Sequence, residues 1–120
     1  MSDYQLGAVE AKFADIIWDN EPISSPELVR KSAEVLSWKK STTYTVLKRL
    51  CDKGIFQNQK GVVTSLLSKQ EFYALQSENF VKENFNGSLP AFLAAFSSRQ
   101  NLTDRDVALL RRMVEEYEEE

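Results

Sequence analysis

Histidine is absent from this 120-residue sequence, and cysteine occurs once, at Cys51. Without an imidazole the chain has no histidine base, and it cannot assemble a His/Cys metal cluster. A lone thiol closes no internal disulfide. The four glycines stand singly, so no glycine-rich loop is present to cradle a phosphate. With no nucleophile–base pair either, enzymatic chemistry is excluded, and neither a metal nor a cofactor is expected. No apolar run approaches the roughly 20 residues that span a bilayer. The start, Met1-Ser2-Asp3-Tyr4-Gln5-Leu6, lacks the basic residues and apolar stretch of a secretion signal. These absences predict a cytoplasmic protein with no direct membrane binding.

What remains is ordinary in amount and uneven in placement. Hydrophobic residues are 42% and charged residues 28% of the chain, as in globular domains. The net charge of −3 conceals a division. From Leu28 to Lys60, Arg30, Lys31, Lys39, Lys40, Lys48, Arg49, Lys53 and Lys60 face only Glu34 and Asp52, a net +6. From Glu71 to Glu120, five basic residues face ten acidic ones, a net −5. A basic segment suits a polyanionic partner, although two solvated faces would have the same composition.

Leu6, Val9, Phe13, Ile16 and Ile17 recur at helical spacing and predict a first helix ending near Trp18 and Pro22. Ser24 with Glu27 forms a capping-box pattern, with Pro26 in the first turn, before a second helix whose apolar face is Leu28, Val29, Ala33 and Leu36. A third helix, Thr42 to Lys53, turns Thr43, Val46, Leu47 and Leu50 inward and stops at Gly54. The period then shortens: Ile55–Gln59 and Val62–Leu66 flank Lys60-Gly61 and predict a β-hairpin. Ser68 with Glu71 opens another helix carrying Phe72, Leu75, Phe80 and Val81, closed by Asn86-Gly87. A short apolar helix follows from Ser88 or Leu89, and Thr103-Asp104-Arg105-Asp106 caps a last helix bearing Val107, Leu110, Met113 and Val114. There is no internal repeat, and the only biased tract is the closing run of glutamates.

Three helices followed by a hairpin is the order of a winged helix-turn-helix, a mostly α fold with a small β wing. The third helix is then the reading helix. Its outward residues Ser41, Thr42, Tyr44, Thr45, Lys48 and Arg49 offer hydroxyls and cations to phosphates and base edges. Lys60 at the hairpin tip is placed to meet backbone phosphate. The expected organisation is a DNA-binding domain over residues 1–68 and a helical dimerisation region over 69–120. Phe72, Phe80, Phe92, Phe96 and Leu110 are the candidate dimer contacts, since short helices alone would leave these side chains uncovered. Folding back onto the first domain is the other way to cover them. A dimer also matches two half-sites of a near-palindromic operator. A winged helix serving as a protein-interaction adaptor without DNA is the competing reading, and the local +6 speaks against it.

The run Ile16-Ile17-Trp18, then Trp38-Lys39-Lys40-Ser41-Thr42-Thr43-Tyr44-Thr45-Val46-Leu47-Lys48-Arg49-Leu50, then Asp52-Lys53-Gly54-Ile55, resembles the penicillinase-repressor family. Ser65 to Phe72, Gly87-Ser88-Leu89 and Leu102-Thr103 continue that resemblance. It implies a homodimeric repressor of resistance or transport genes, bound to double-stranded operator DNA through Ser41, Thr42, Tyr44, Thr45 and Arg49. Ser41 and Tyr44 stand where other members often carry basic residues, which implies a different base preference. In such members a membrane sensor protease triggers cleavage of an Asn-Phe bond in the dimerisation region. That bond corresponds to Ala95-Phe96, where the phenylalanine is present and the asparagine is not; the plain reading of Phe96 is dimer core. Copper-responsive relatives end in a cysteine-rich tail. Here the tail is Glu115-Glu116-Tyr117-Glu118-Glu119-Glu120, which offers no thiolate. Cys51, beside Leu50, reads as a small buried residue, with a redox-active thiol as the other reading.

Overall fold

The structure, a computed structural model, describes residues 5–117; the expectations placed on Met1–Tyr4 and on Glu118–Glu120 lie outside the described residues. The chain forms two compact units, Met1–Glu78 and Asn79–Glu120. The first contains α1 (Ala8–Asn20), β1 (Ile23–Ser24), α2 (Ser25–Leu36), α3 (Lys40–Asp52), β2 (Phe56–Gln59) and β3 (Val62–Ser65). It also holds the start of α4 (Lys69–Asn84). The second contains the rest of α4, α5 (Leu89–Arg99) and α6 (Asp104–Glu116). The first unit is a winged helix: three helices, then a hairpin.

Helix α1 buries Phe13, Ala14, Ile16 and Ile17. Val9, expected on the same stripe, is 50% exposed. Leu6, earlier in the chain, still packs against the core, so the core does not end before Val9; Val9 falls at the edge of the buried stripe, whose middle runs through Leu6, Phe13 and Ile17. Helix α2 begins where the Ser24 hydroxyl accepts from the Glu27 N–H at 3.3 Å. The reciprocal half of the expected capping box is replaced, because the Glu27 carboxylate binds Arg30 instead. Ser25, Leu28 and Ser32 are its buried residues, whereas Ala33, expected inside, is exposed. Helix α3 buries Thr43, Val46, Leu47 and Leu50, the four residues its spacing selects. Gly54, at φ +82°, lets the chain turn through a left-handed residue that other side chains resist. The Ile55 N–H then returns to the Leu50 carbonyl at 3.1 Å.

Strands β2 and β3 pair antiparallel, with Phe56 opposite Ser65 and Gln59 opposite Val62. Their two-residue loop, Lys60-Gly61, has positive φ at both positions (53° and 83°), the mirror-image turn whose twist matches the flanking strands. A third strand, absent from the sequence reading, joins the other edge of β3 with Ile23 opposite Val63. Two residues carry no alternation to detect, so β1 exists only through its partner. Phe13, Ile17, Leu28, Leu47, Leu50, Phe56 and Val63 close one core between helices and sheet.

The expected boundary at 68/69 differs from the observed division, and Phe72 shows why. Rather than lying on an outward dimer face, Phe72 is fully buried in the first unit. Its ring lies 5.7 Å from that of Trp18, which also packs on Phe56 at 5.2 Å. The Trp18 indole N–H donates to the Leu67 carbonyl at 3.0 Å. Lys69 pairs with Asp15 at 2.8 Å. The Ser68–Glu71 capping box forms as expected, but a cap marks where a helix starts, not which core receives its first turn.

In the second unit, Ser88 caps α5 by accepting from the Ala91 N–H at 3.1 Å. Thr103 and Asp106 form a complete capping box on α6. Neither α5 nor α6 has a buried residue. Phe80, Phe85, Phe92 and Phe96 form a chain of rings with centroids 5.6–6.3 Å apart, yet Phe80 and Phe96 stay 44% and 46% exposed.

Replacing Phe72 by alanine should destabilise the first unit by about 3–5 kcal/mol, the cost of a large aromatic cavity. The midpoint of denaturant unfolding, followed by tryptophan fluorescence, measures this; a loss below about 1 kcal/mol would place Phe72 outside the core.

Candidate nucleic-acid interface

Burial of Thr43, Val46, Leu47 and Leu50 leaves the opposite face of α3 in solvent. Ser41, Thr42, Tyr44, Thr45, Lys48 and Arg49 are all exposed on this helix, so one element brings six of the seven sequence-selected residues together. Lys60 lies apart, exposed at the hairpin tip. The wing is attached by more than its strands. Both carboxylate oxygens of Glu21, just after α1, accept from Ser65 at 2.8–2.9 Å.

The polar groups on α3 differ in what they have left to offer. The Thr45 hydroxyl already donates to the Ser41 carbonyl at 2.9 Å, so its remaining outward chemistry is a methyl group and an acceptor oxygen. The Ser41, Thr42 and Tyr44 hydroxyls carry no such internal bond among the described residues. Lys48 pairs with Asp52 at 3.1 Å, both side chains more than two-thirds exposed. An exposed pair of this kind is worth between nothing and about 1 kcal/mol and readily exchanges for a phosphate. Lys39, Lys40 and Lys60 are exposed and have no ion pair among the described residues. The +6 segment therefore spends part of its charge internally, as Arg30 also binds Glu27 and Glu34.

Arg49 stands apart from its neighbours. Its guanidinium donates to Glu10 of α1, with Nη1 to Oε2 at 2.8 Å. The other carboxylate oxygen accepts from the Gly7 N–H at 3.2 Å. Partial burial alone would raise the Glu10 carboxyl above its ordinary value. The Gly7 N–H, the Arg49 hydrogen bond and the charges of Lys53 and Arg49 outweigh burial and hold it below 4.5.

The sequence pattern of the penicillinase-repressor family matches residues 6–116. The chain belongs to the penicillinase-repressor family. Among its relatives, the penicillinase repressor of Bacillus licheniformis is 23% identical over 117 residues, covering 94% of this chain and 91% of the relative. The methicillin resistance regulatory protein MecI of Staphylococcus aureus is 22% identical over 115 residues, covering 92% and 94%. That of Mammaliicoccus sciuri is 21% identical, with the same coverage. The winged-helix fold expected for this family is the fold of the first unit. Among the described residues no helix is long and apolar enough to cross a membrane.

Of the expected dimer contacts, Phe72 lies in the core of the first unit, while Phe80, Phe92, Phe96 and Leu110 belong to the second unit and are partly or largely exposed. Leu110 lines an open apolar groove on α6 with Leu102, Val107 and Val114. Ala95 and Phe96 sit within α5, both exposed. Cys51 is half-buried, and its thiol is pushed up by burial and then by the nearby Asp52 charge, which disfavours the reactive thiolate.

Sequence reading missed Glu10, although a signal existed. Leu6, Glu10, Phe13 and Ile17 follow one another at four-, three- and four-residue steps, which places a carboxylate within an apolar stripe. A charge there needs a cationic partner from another element.

Because the Glu10 carboxyl titrates below its ordinary value in the folded protein, it contributes stability above pH 4.5, and that contribution fades as pH falls through the folded value. Glu10→Gln should therefore be less stable than the parent at pH 7, with the two converging as pH falls below 4.5. Denaturant midpoints across that range test this; a gap independent of pH would assign the loss to packing.

Proposed function

We propose that this chain is a transcriptional repressor that binds a dyad-symmetric operator as a homodimer, controlling resistance or transport genes in the cytoplasm. The observation that carries the reading is the exposed polar face of α3, held outward by its buried stripe and followed by a tight wing, in a chain of the penicillinase-repressor family. In this proposal α3 enters the major groove. Ser41, Thr42, Tyr44 and Thr45 meet base edges, while Lys48 and the wing's Lys60 meet phosphates. Thr45, its hydroxyl proton already engaged, would present its methyl group, the kind of surface that packs on a thymine methyl.

The second unit supports pairing with another copy. Helices α5 and α6, with no fully buried residue, keep much of their apolar surface in water, and exposed Phe80, Phe96, Val107, Leu109, Met113 and Val114 offer surface that a two-fold partner would cover. Cleavage at Ala95-Phe96 triggered by a membrane sensor protease would relieve repression by destroying that surface. The bond lies in helix α5, so a protease would have to unwind a turn to reach it.

Purified protein should bind a fragment from upstream of its own gene, two protomers per site. It should prefer that fragment over a shuffled one and lose affinity steeply between 50 and 200 mM salt, by about a thousandfold or more if six phosphates are neutralised. Equal, weak binding to both fragments would favour the protein-interaction adaptor. Independently, Phe92→Asp should shift the protein from dimer to monomer in sedimentation, and a stable dimer with that change would move the interface elsewhere.

A further inference from the structure

We propose that Arg49, although exposed on the DNA-facing helix, does not read DNA but serves with Glu10 as a positioning pair that sets how α3 is presented. The inference rests on the repressor reading and assigns this pair a role different from that of the other polar residues of the helix.

Glu10 has a side chain only 21% exposed, against 52% for Arg49, and both its oxygens are occupied, one by the Gly7 N–H and one by Arg49. It is thus fixed to the backbone at the start of α1 rather than carried on a free side chain. A guanidinium on a fixed acceptor is held in one orientation, and a hydrogen bond between charged groups is about twice as strong as a neutral one. Beside it, the Lys53 ammonium donates to the Gln5 carbonyl at 3.2 Å. The last turn of α3 and its C-cap are thereby tied to residues 5–10 by two polar links. The other end of the helix has no side-chain cap at Lys39, so these links act where α3 is anchored by polar contact.

Reaching for DNA with Arg49 would break this arrangement. Glu10 would be left mostly covered, with a single N–H as its partner, and its negative charge would remain close to the phosphates. Both consequences oppose binding. Lys48, one residue earlier, faces no such obstacle, since its exposed partner Asp52 can return to water. Adjacent cations on one helix therefore divide the work: Lys48 is available to DNA and Arg49 holds the helix that carries it.

The test is a double-mutant cycle on the full-length chain with Glu10→Gln, Arg49→Gln and both together, read by unfolding midpoint and by operator affinity from 50 to 200 mM salt. If the pair positions α3, each single change weakens operator binding by a similar factor, on the order of three- to tenfold. The double change is then no worse than either, as expected for two members of one interaction. The slope of log affinity against log salt stays that of the parent in all three. If Arg49 instead contacts a phosphate, Arg49→Gln reduces that slope by about 1.8, one phosphate for each of the two protomers, and Glu10→Gln, by freeing the arginine, leaves affinity unchanged or raises it; either result overturns the proposal. Stability coupling between the two changes without any effect on operator affinity also overturns it, since the pair would then serve the fold alone. A parent chain with no operator preference is recognised before any variant is compared, and removes the repressor reading itself.

Discussion

The surface that this protein turns to its partner depends on the burial of one helix stripe. Thr43, Val46, Leu47 and Leu50 leave water against the core of the first unit, and each aliphatic residue so buried contributes about 1.5–3 kcal/mol. At 100° per residue, that commitment leaves positions 41, 42, 44, 45, 48 and 49 outside together. Burial alone selects which face is outward. The same core includes Phe56 and Val63 of the hairpin, so the wing takes its place by sharing the burial that orients the helix. Trp18, packed on Phe56 and Phe72 and bonded to the Leu67 carbonyl, carries that core on to the first turn of α4.

Charge is organised on top of this frame. The excess of basic residues between Leu28 and Lys60 suggests a uniform cationic field, but the structure divides it. Arg30 is engaged along its own helix by Glu27 and Glu34, Arg49 across the fold by Glu10, and Lys48 only loosely by an exposed neighbour. A cation tied to a largely covered carboxylate and one tied to a solvated carboxylate look alike in a sequence, yet they differ in what it costs to redirect them. The two units also differ in kind. The first closes a core by itself; the second lines up phenylalanine rings and an apolar α6 surface that remain open.

Local pattern alone determined much of this protein: the helix order, the inward stripe of α3, the Lys60-Gly61 hairpin, the Ser68 and Thr103 caps, and the set of polar residues on the exposed face. Those features follow from periodicity and backbone chemistry within a few residues. Tertiary structure decided the rest. Strand β1 needs β3 to exist, Ser32 is inside and Ala33 outside because α2 packs at one particular rotation, and Val9 is exposed because it falls at the edge of the stripe that α1 buries. Phe72 belongs to the first unit because Trp18 is there to receive it, and Arg49 is a bound cation because folding brings Glu10, 39 positions earlier in the chain, to within 2.8 Å. In each case the deciding partner is distant in sequence, and a pattern read along the chain carries no information about which of two equivalent faces, ends or charges a remote neighbour will meet.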